Sequence, residues 1–155
     1  MATRWLDDDE QATWRAFLAA TQLLMDRLDR ELQSAVGFPH AYYQILVRLS
    51  EAPERTMRMS DLAERCHSSR SRLSHAVSRL EENGWVRRQA VAADRRGAVA
   101  VLTDAGLAAL EEAAPIHVEG VRRHLFDQLD AAQLEALGAI SRRLYGHLES
   151  TPIAG

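Results

Sequence analysis

Apolar residues recur every three or four positions near the start of the chain, which is the spacing of one face of a helix. A run of acids beginning at Asp7 suits the N-terminus of this helix, and Gly37 marks its end. Pro39 then opens a second helix that ends just before Pro53. The repeating apolar positions of the first helix are Trp14, Phe17, Leu18, Leu24, Met25, Leu28 and Leu32.

The middle of the chain predicts two short helices followed by a β-hairpin. Ser60 is a good N-cap for the first short helix, and Ser69 is a good N-cap for the second, which ends at Gly84. The segments "WVRRQAV" and "AVAVL" predict two strands joined by "AADRRG". Two short helices, a tight turn and then a strand are typical of a helix-turn-helix, and the hairpin would form its wing.

Two longer helices complete the chain. Thr103 has the place of an N-cap for the first, and Asp130 and Gln133 have the spacing of a capping box for the second. Both helices carry apolar residues at intervals of three and four. The whole pattern predicts a mainly α fold of the α+β winged-helix type, in which a winged helix-turn-helix lobe is flanked by N- and C-terminal helices.

The length of 155 residues favours one domain, and a single cysteine excludes an intrachain disulfide. No apolar run reaches the roughly 18 residues of a membrane span, so no membrane partner is expected. The N-terminus does not have the form of a signal peptide. These features favour a cytoplasmic protein.

The net charge of −3 is unevenly distributed along the chain. Residues 55–96 hold ten arginines against five acids, whereas the segments on either side hold more acids than arginines. A basic segment within an acidic body is typical of a nucleic-acid-binding face. The use of Arg without any Lys is explained equally well by a bias in genome composition.

The second short helix has a polar face that suits the major groove of DNA. This face has no acid before Glu81, whereas an ordinary solvated helix mixes charges of both signs. Arg pairs with guanine, and Ser bonds to bases or phosphates. The candidate DNA-binding residues of this helix are Ser69, Arg70, Ser71, Arg72, Ser74, His75, Ser78 and Arg79.

The segments "LAERCHSSRSRLSHAVSRLEENGWV" and "DRRGAVAVLTDAG" resemble the MarR family of bacterial winged helix-turn-helix regulators. The second segment matches the family's wing motif, which is Asp-x-Arg, an apolar strand and then Leu-Thr-x-x-Gly. The resemblance implies that Arg96, beside Arg95, reaches a minor groove and that Asp94 orients the wing arginines. A narrow A·T-rich minor groove attracts Arg by its negative potential, although a solvated hairpin tip would look the same.

The resemblance also implies a homodimer and a single domain over residues 1–155. Residues 1–36 and 104–150 would supply the dimerisation helices, and residues 38–103 the winged lobe. The terminal helices hold more leucines than one small lobe covers, which supports this division. The candidate interface residues are Leu24, Leu28, Leu134, Leu137 and Leu144.

Small aromatic effectors bind members of the family between the dimer helices and the winged lobe. By that resemblance the candidate ligand-binding residues here are Trp14, Leu18, His40, Tyr43 and Met57, for each of which core packing is the competing role. Cys66 occupies an apolar helix position, where a cysteine acts as a small hydrophobe more often than as a redox sensor.

The six histidines have no metal-ligand spacing, and no nucleophile lies beside a base. No metal, cofactor or enzymatic activity is therefore expected. The sequence predicts a regulator that binds duplex DNA sequence-specifically at a pseudo-palindromic promoter site and acts as a ligand-responsive repressor. The alternative is a protein-interaction module that keeps the winged-helix fold and binds an acidic protein.

Overall fold

The structure, a computed structural model, describes residues 2–91 and 94–150, and the side chains of these residues except 91 and 94–96. Helices α1 and α2 come first, a small sheet and two short helices follow, and two long helices end the chain. The elements are α1 Asp8–Val36, α2 His40–Ser50, β1 Thr56–Arg58, α3 Met59–Arg65, α4 Arg70–Glu82, β2 Val86–Val91, β3 Asp94–Leu102, α5 Asp104–His124 and α6 Ala131–Ser150.

Most helix ends lie where the local capping residues predict them. The Asp7 carboxylate accepts from the Glu10 N–H at 2.8 Å, and the Glu10 carboxylate accepts from the Asp7 N–H at 3.0 Å, which closes the capping box of α1. Gly37 ends this helix in the left-handed region with φ 79°. The capping box of α6 is confirmed as well, since the Gln133 N–H donates to Asp130 at 2.8 Å.

The predicted N-cap Ser60 is wrong, because α3 already begins at Met59 and Arg58 is its N-cap. Strand β1 ends at Arg58, so the backbone passes directly from the strand into the helix. Ser60 therefore lies in the first turn of α3, where its hydroxyl contacts the Asp61 carboxylate at 3.0 Å.

The sheet has three antiparallel strands in the order β1-β3-β2, whereas the sequence predicted only the hairpin. Strand β1 pairs with the C-terminal part of β3, with Met57 opposite Ala100. Strand β3 also begins earlier than predicted, because the backbone of 94–97 belongs to the strand and not to the connecting loop. The register between β2 and β3 shifts after Ala90, which is the position of a β-bulge.

The core lies between the sheet and helices α1 to α5. Its largest fully buried side chains, each less than 2% exposed, are Leu32, Leu46, Leu49, Leu62, Leu73, Leu80, Val77 and Val86. By contrast α6 has no buried residue within its own chain. No helix in the described part of the chain is long and apolar enough to cross a membrane.

The base of the hairpin is fastened to the start of α5. The Thr103 hydroxyl donates to the Gly84 carbonyl at 2.7 Å and accepts from the Gly106 N–H at 3.0 Å, so one side chain both caps α5 and holds the end of the turn before β2. Gly106 lies so close to Trp85 that a Cβ there would be 2.1 Å from the Trp85 carbonyl oxygen. This contact sets where the wing leaves the helical body.

Candidate nucleic-acid interface

Helix α4 is held by one apolar stripe and turns the rest of its surface outward. Leu73, Val77 and Leu80 are buried in the core at 1% exposure or less. The Ser69 hydroxyl accepts from the Arg72 N–H at 3.3 Å and so caps the helix, as the sequence predicts. A helix fixed on one side and capped at its N-terminus presents its opposite face rigidly to a partner.

The outward face of α4 is polar and basic at its N-terminal end. The exposed side chains along the whole of this face are Ser69, Arg70, Ser71, Arg72, Ser74, His75 and Arg79. Arg79 forms an ion pair with Glu82 at 2.9 Å, and this carboxylate raises the pKa of the Arg79 guanidinium further above its ordinary value. The N-terminal half of α4 therefore offers more unopposed positive charge than the C-terminal half.

Two of the predicted DNA-contacting serines, exposed Ser74 and half-buried Ser78, bond to an arginine of the sheet. The Arg88 guanidinium on β2 donates to the Ser78 hydroxyl at 3.1 Å and to the Ser74 hydroxyl at 3.2 Å. It also bonds to the Ser74 carbonyl and forms an ion pair with Glu81 at 3.5 Å. Sequence reasoning missed Arg88, although the spacing of Ser74, Ser78 and Glu81 places all three on one side of a helix.

The wing consists of β2 and β3, which pair regularly from Val86 with Leu102 to Ala90 with Ala98. The side chains of Asp94, Arg95 and Arg96 lie outside the described residues. Their predicted roles at the wing tip stay predictions.

A cavity of about 280 Å³ lies between α2, the C-terminal end of α3 and His117 of α5. Three aromatic rings pack along its wall: the centroids of His40 and His117 are 5.1 Å apart, and those of Tyr43 and His117 are 4.4 Å apart. The Nδ1 atom of His117 is buried and has no hydrogen-bond partner among the described residues. Arg48 and Arg65 line the same cavity, so it combines flat apolar surface with donors.

Burial lowers the pKa of both imidazoles in this cluster. For His40 the nearby Asp29 carboxylate opposes this effect, and it also accepts from the His40 N–H at 2.8 Å. For His117 the neighbouring His40 adds to the lowering. Burial likewise raises the pKa of the Tyr43 hydroxyl. The cluster thus favours neutral rings.

The structure does not gather the five predicted ligand-binding residues into one place. His40 and Tyr43 line the cavity, but Trp14 and Leu18 lie on the surface of α1, 51% and 38% exposed. Met57 lines a separate depression beside β1. Within this chain the five residues therefore do not form one pocket, because the N-terminal half of α1 is exposed, and the ligand-binding roles of Trp14, Leu18 and Met57 stay predictions.

One of the predicted interface residues is buried within its own chain. Leu28 is only 5% exposed within its own chain, because α1 packs on α5 where Gly120 leaves room for it. Leu24 and Leu137 are half-buried, and Leu134 and Leu144 are exposed. The exposed apolar side chains of α1 and α6 are Trp14, Phe17, Leu18, Leu23, Met25, Leu134, Ile140, Leu144, Tyr145 and Leu148.

Cys66 is half-buried against the core, and burial raises the pKa of its thiol, while Arg48 opposes this more weakly. A thiol with a raised pKa is less reactive at neutral pH. Within the described residues, no three His, Cys, Asp or Glu side chains are arranged to hold a metal ion.

A capped outward helix after a short helix and a turn, followed by a hairpin, defines a winged helix-turn-helix protein, a class that places its second helix in the major groove. Residues 36–97 match the model of the MarR family. The chain belongs to the MarR family of transcriptional regulators, as the sequence motifs implied, and it is therefore a DNA-binding regulator and not an enzyme.

Full-length relatives support this assignment. The HTH-type transcriptional regulator PecS of Dickeya dadantii (strain 3937) is 30% identical over 132 residues, covering 82% of this chain and 79% of PecS. Sco3205, a MarR family regulator from Streptomyces coelicolor solved in complex with DNA, is 48% identical with a TM-score of 0.92, covering 97% of this chain and 94% of its own. AbsC from the same organism is 44% identical with a TM-score of 0.89, covering 96% and 100%.

Proposed function

We propose that this protein binds a pseudo-palindromic promoter site as a homodimer and acts as a repressor whose DNA binding responds to a small ligand. The observation that supports DNA recognition most directly is the basic, outward face of α4, on which Arg70, Arg72 and His75 are exposed. In this proposal α4 enters the major groove, and the wing arginines lie over the adjacent minor groove. Action on chromosomal DNA places the protein in the bacterial cytoplasm.

The apolar surface of α1 and α6 supports a second copy of the chain as the partner of these helices. Ile140, Leu144 and Leu148 are 54%, 43% and 70% exposed along one side of α6. Such a surface on a monomer marks an interaction site, and two-fold pairing is the commonest solution. Residues 1–36 and 104–150 would then form the dimer and residues 38–103 would bind DNA, at half-sites about 34 Å apart.

The cavity beside His40, Tyr43 and His117 supports a small aromatic effector. Its volume of about 280 Å³ suits a single small ring system, and its wall offers two guanidinium groups and the rings of His40, Tyr43, His67 and His117. It lies between α2 of the DNA-binding lobe and α5. A ligand bound there would change the position of the DNA-binding lobe relative to α5. This change would alter the affinity of the protein for DNA.

An acidic protein would also be attracted by the basic face of α4. Titration of the protein with a duplex carrying its own promoter region, over a range of salt concentrations, separates the two functions. We expect binding that weakens linearly in log affinity with log salt, because phosphate contacts release counterions. Equal affinity for the promoter and for a scrambled duplex would contradict sequence-specific recognition.

The variants Arg72→Ala and Arg79→Ala test whether each arginine contacts a base or a phosphate. A base reader loses about 1–3 kcal/mol of discrimination at one base pair, whereas a phosphate contact weakens binding to all duplexes and lowers the salt slope by about one. Arg30→Ala is a matched control, since this arginine is exposed on α1 and paired with Asp26 at 2.9 Å. If both α4 variants bound like the control, α4 would not be the recognition helix.

A further inference from the structure

Arg88 joins the recognition helix α4 to the wing strand β2 through several bonds at once. Its Nη2 atom donates to the hydroxyls of Ser74 and Ser78 at 3.2 and 3.1 Å and also to the Ser74 carbonyl. Its Nη1 atom is 3.5 Å from Glu81 Oε2. The guanidinium therefore lies along the side of α4 over two helical turns.

The backbone of Arg88 takes part in the same arrangement. Its N–H donates to Glu81 Oε1 at 2.8 Å, so the Glu81 carboxylate holds both the main chain and the side chain of one strand residue. The two side chains are only 29% and 32% exposed. An ion pair that is partly removed from solvent and supported by further hydrogen bonds is worth more than an exposed one.

We infer that Arg88 is a positioning residue for DNA recognition, which holds α4 and the wing at one relative angle by bonding Ser74, Ser78 and Glu81 and does not itself contact DNA. This inference rests on the proposed function. The guanidinium is a planar fork with donors in fixed directions, so its bonds restrain angle as well as distance. A helix and a hairpin that must enter two grooves together need that restraint, because small errors of placement cost affinity.

The inference changes the role of two predicted DNA contacts. Ser78 is half-buried, its hydroxyl donates to the Ser74 carbonyl at 3.0 Å, and it accepts from Arg88. Ser74 and Ser78 thus serve as anchors for Arg88. The reading face of α4 is then left to Ser69, Arg70, Ser71, Arg72, His75 and Arg79.

Substitutions of two acids at the end of α4, Glu81 and Glu82, are expected to change DNA affinity in opposite directions. Glu81→Gln removes a negative charge near DNA but also breaks the ion pair with Arg88, so we expect binding to weaken about three- to tenfold, in the lower part of the range for a lost pairwise coupling. Glu82→Gln is the matched control: it removes the same charge and releases Arg79 from its 2.9 Å pair, so binding should tighten. The probe is a duplex selected by the wild-type protein from a randomised pool.

Arg88 variants test the role directly. Arg88→Ala should weaken binding by a similar factor while the salt slope stays that of the wild type, because no phosphate contact is lost. Arg88→Lys keeps the charge opposite Glu81 but cannot bond both serines. Compared with Arg88→Ala, it should therefore recover the thermal stability but only part of the affinity for DNA. Ser78→Ala should weaken binding in the wild type and add little in Arg88→Ala, because both remove the same bond.

Either of two results would overturn the inference. A salt slope about one unit lower in Arg88→Ala would show that Arg88 contacts a phosphate. Tighter DNA binding by Glu81→Gln would show that Glu81 acts only through its negative charge and not by holding Arg88. Thermal unfolding identifies variants that fail to fold. If Arg88→Ala does not fold, Glu81→Gln still tests the positioning role, because it keeps the hydrogen bond to the Arg88 backbone. A wild-type protein that bound no duplex would refute the proposed function itself and the positioning role with it.

Discussion

Gly106 shows how a single position decides whether the winged lobe can meet α5. A Cβ at this position would lie 2.1 Å from the Trp85 carbonyl oxygen and 2.7 Å from Leu102 Cδ1. The carbonyl belongs to the backbone and also accepts from the Thr103 N–H at 3.0 Å, so it cannot move aside without breaking that bond. Only glycine fits there.

We expect Gly106→Ala to lower the free energy of unfolding by about 1–3 kcal/mol, the usual effect of overpacking. Gly146→Ala is the control, because this helical glycine has no atom within 4 Å of the added Cβ, and it should raise stability by about 0.5–1 kcal/mol. Urea unfolding measures both. Wild-type stability in Gly106→Ala would mean that the hairpin base shifts easily.

The cluster of His40, Tyr43 and His117 makes stability depend on pH with a definite sign. Because burial lowers both imidazole pKa values in the folded protein, the unfolded chain binds protons first as the pH falls. Stability is therefore complete above the ordinary histidine pKa of about 6.5 and declines as the pH falls below it.

His117→Phe should reduce this decline between about pH 7.5 and pH 5.5, because Phe keeps the ring and does not titrate. It should not lower stability at neutral pH, since Nδ1 of His117 has no partner to lose among the described residues. His40 still titrates, so part of the decline remains. Melting temperatures measured against pH test this prediction. His75→Gln, at an exposed position on α4, is the control, and its melting temperature should depend on pH as that of the wild type does.

Helix α6 illustrates an element whose apolar pattern is not buried within its own chain. It has the apolar spacing of a packed helix, yet none of its residues is buried. In the proposed dimer such an element is stabilised by its partner, so its packing should depend on assembly.

Leu144→Asp and Leu137→Asp should each convert the proposed dimer to a monomer, because a buried unpaired charge is costly. Sedimentation velocity measures this at several concentrations. Ala132→Asp is a matched control, since it adds the same charge to the exposed first turn of α6, where an acid suits the helix N-terminus. If both leucine variants stayed folded and dimeric, the interface would lie elsewhere.

The charge of the whole molecule is divided between an acidic body and a basic central segment that includes the wing residues Asp94 and Arg96. Asp94→Ala makes the wing tip more positive. A purely electrostatic surface would then bind DNA more tightly. If Asp94 orients the wing arginine, its loss leaves that side chain to be ordered on binding, which costs conformational entropy.

We therefore expect weaker DNA binding by Asp94→Ala, with a salt slope no steeper than that of the wild type. Arg96→Ala, the companion variant, should lose affinity most on A·T-rich flanks, where the minor groove is narrowest. Fluorescence anisotropy with A·T-rich and G·C-rich flanks measures both. Tighter binding by Asp94→Ala, with unchanged preference among flanks, would make the wing tip a simple cluster of charge.

The sequence by itself determined the helices, most of their ends and the class of protein. Helix ends depend on caps and glycines within a few residues, such as Asp7 with Glu10 and Asp130 with Gln133, so local spacing is sufficient to predict them. The polar face of α4 follows in the same way from the 3.6-residue period. Family motifs in the helix-turn-helix and wing supplied the class.

Only the tertiary structure decided which distant residues meet. Strand β1 exists because Met57 pairs with Ala100, and its three residues carry too little local preference to predict it. The same holds for His40 beside His117, for Leu28 in its own chain's core and for Arg88 against Ser74 and Ser78. These contacts arise from the packing of different elements against one another, and the local pattern within one element does not record that placement.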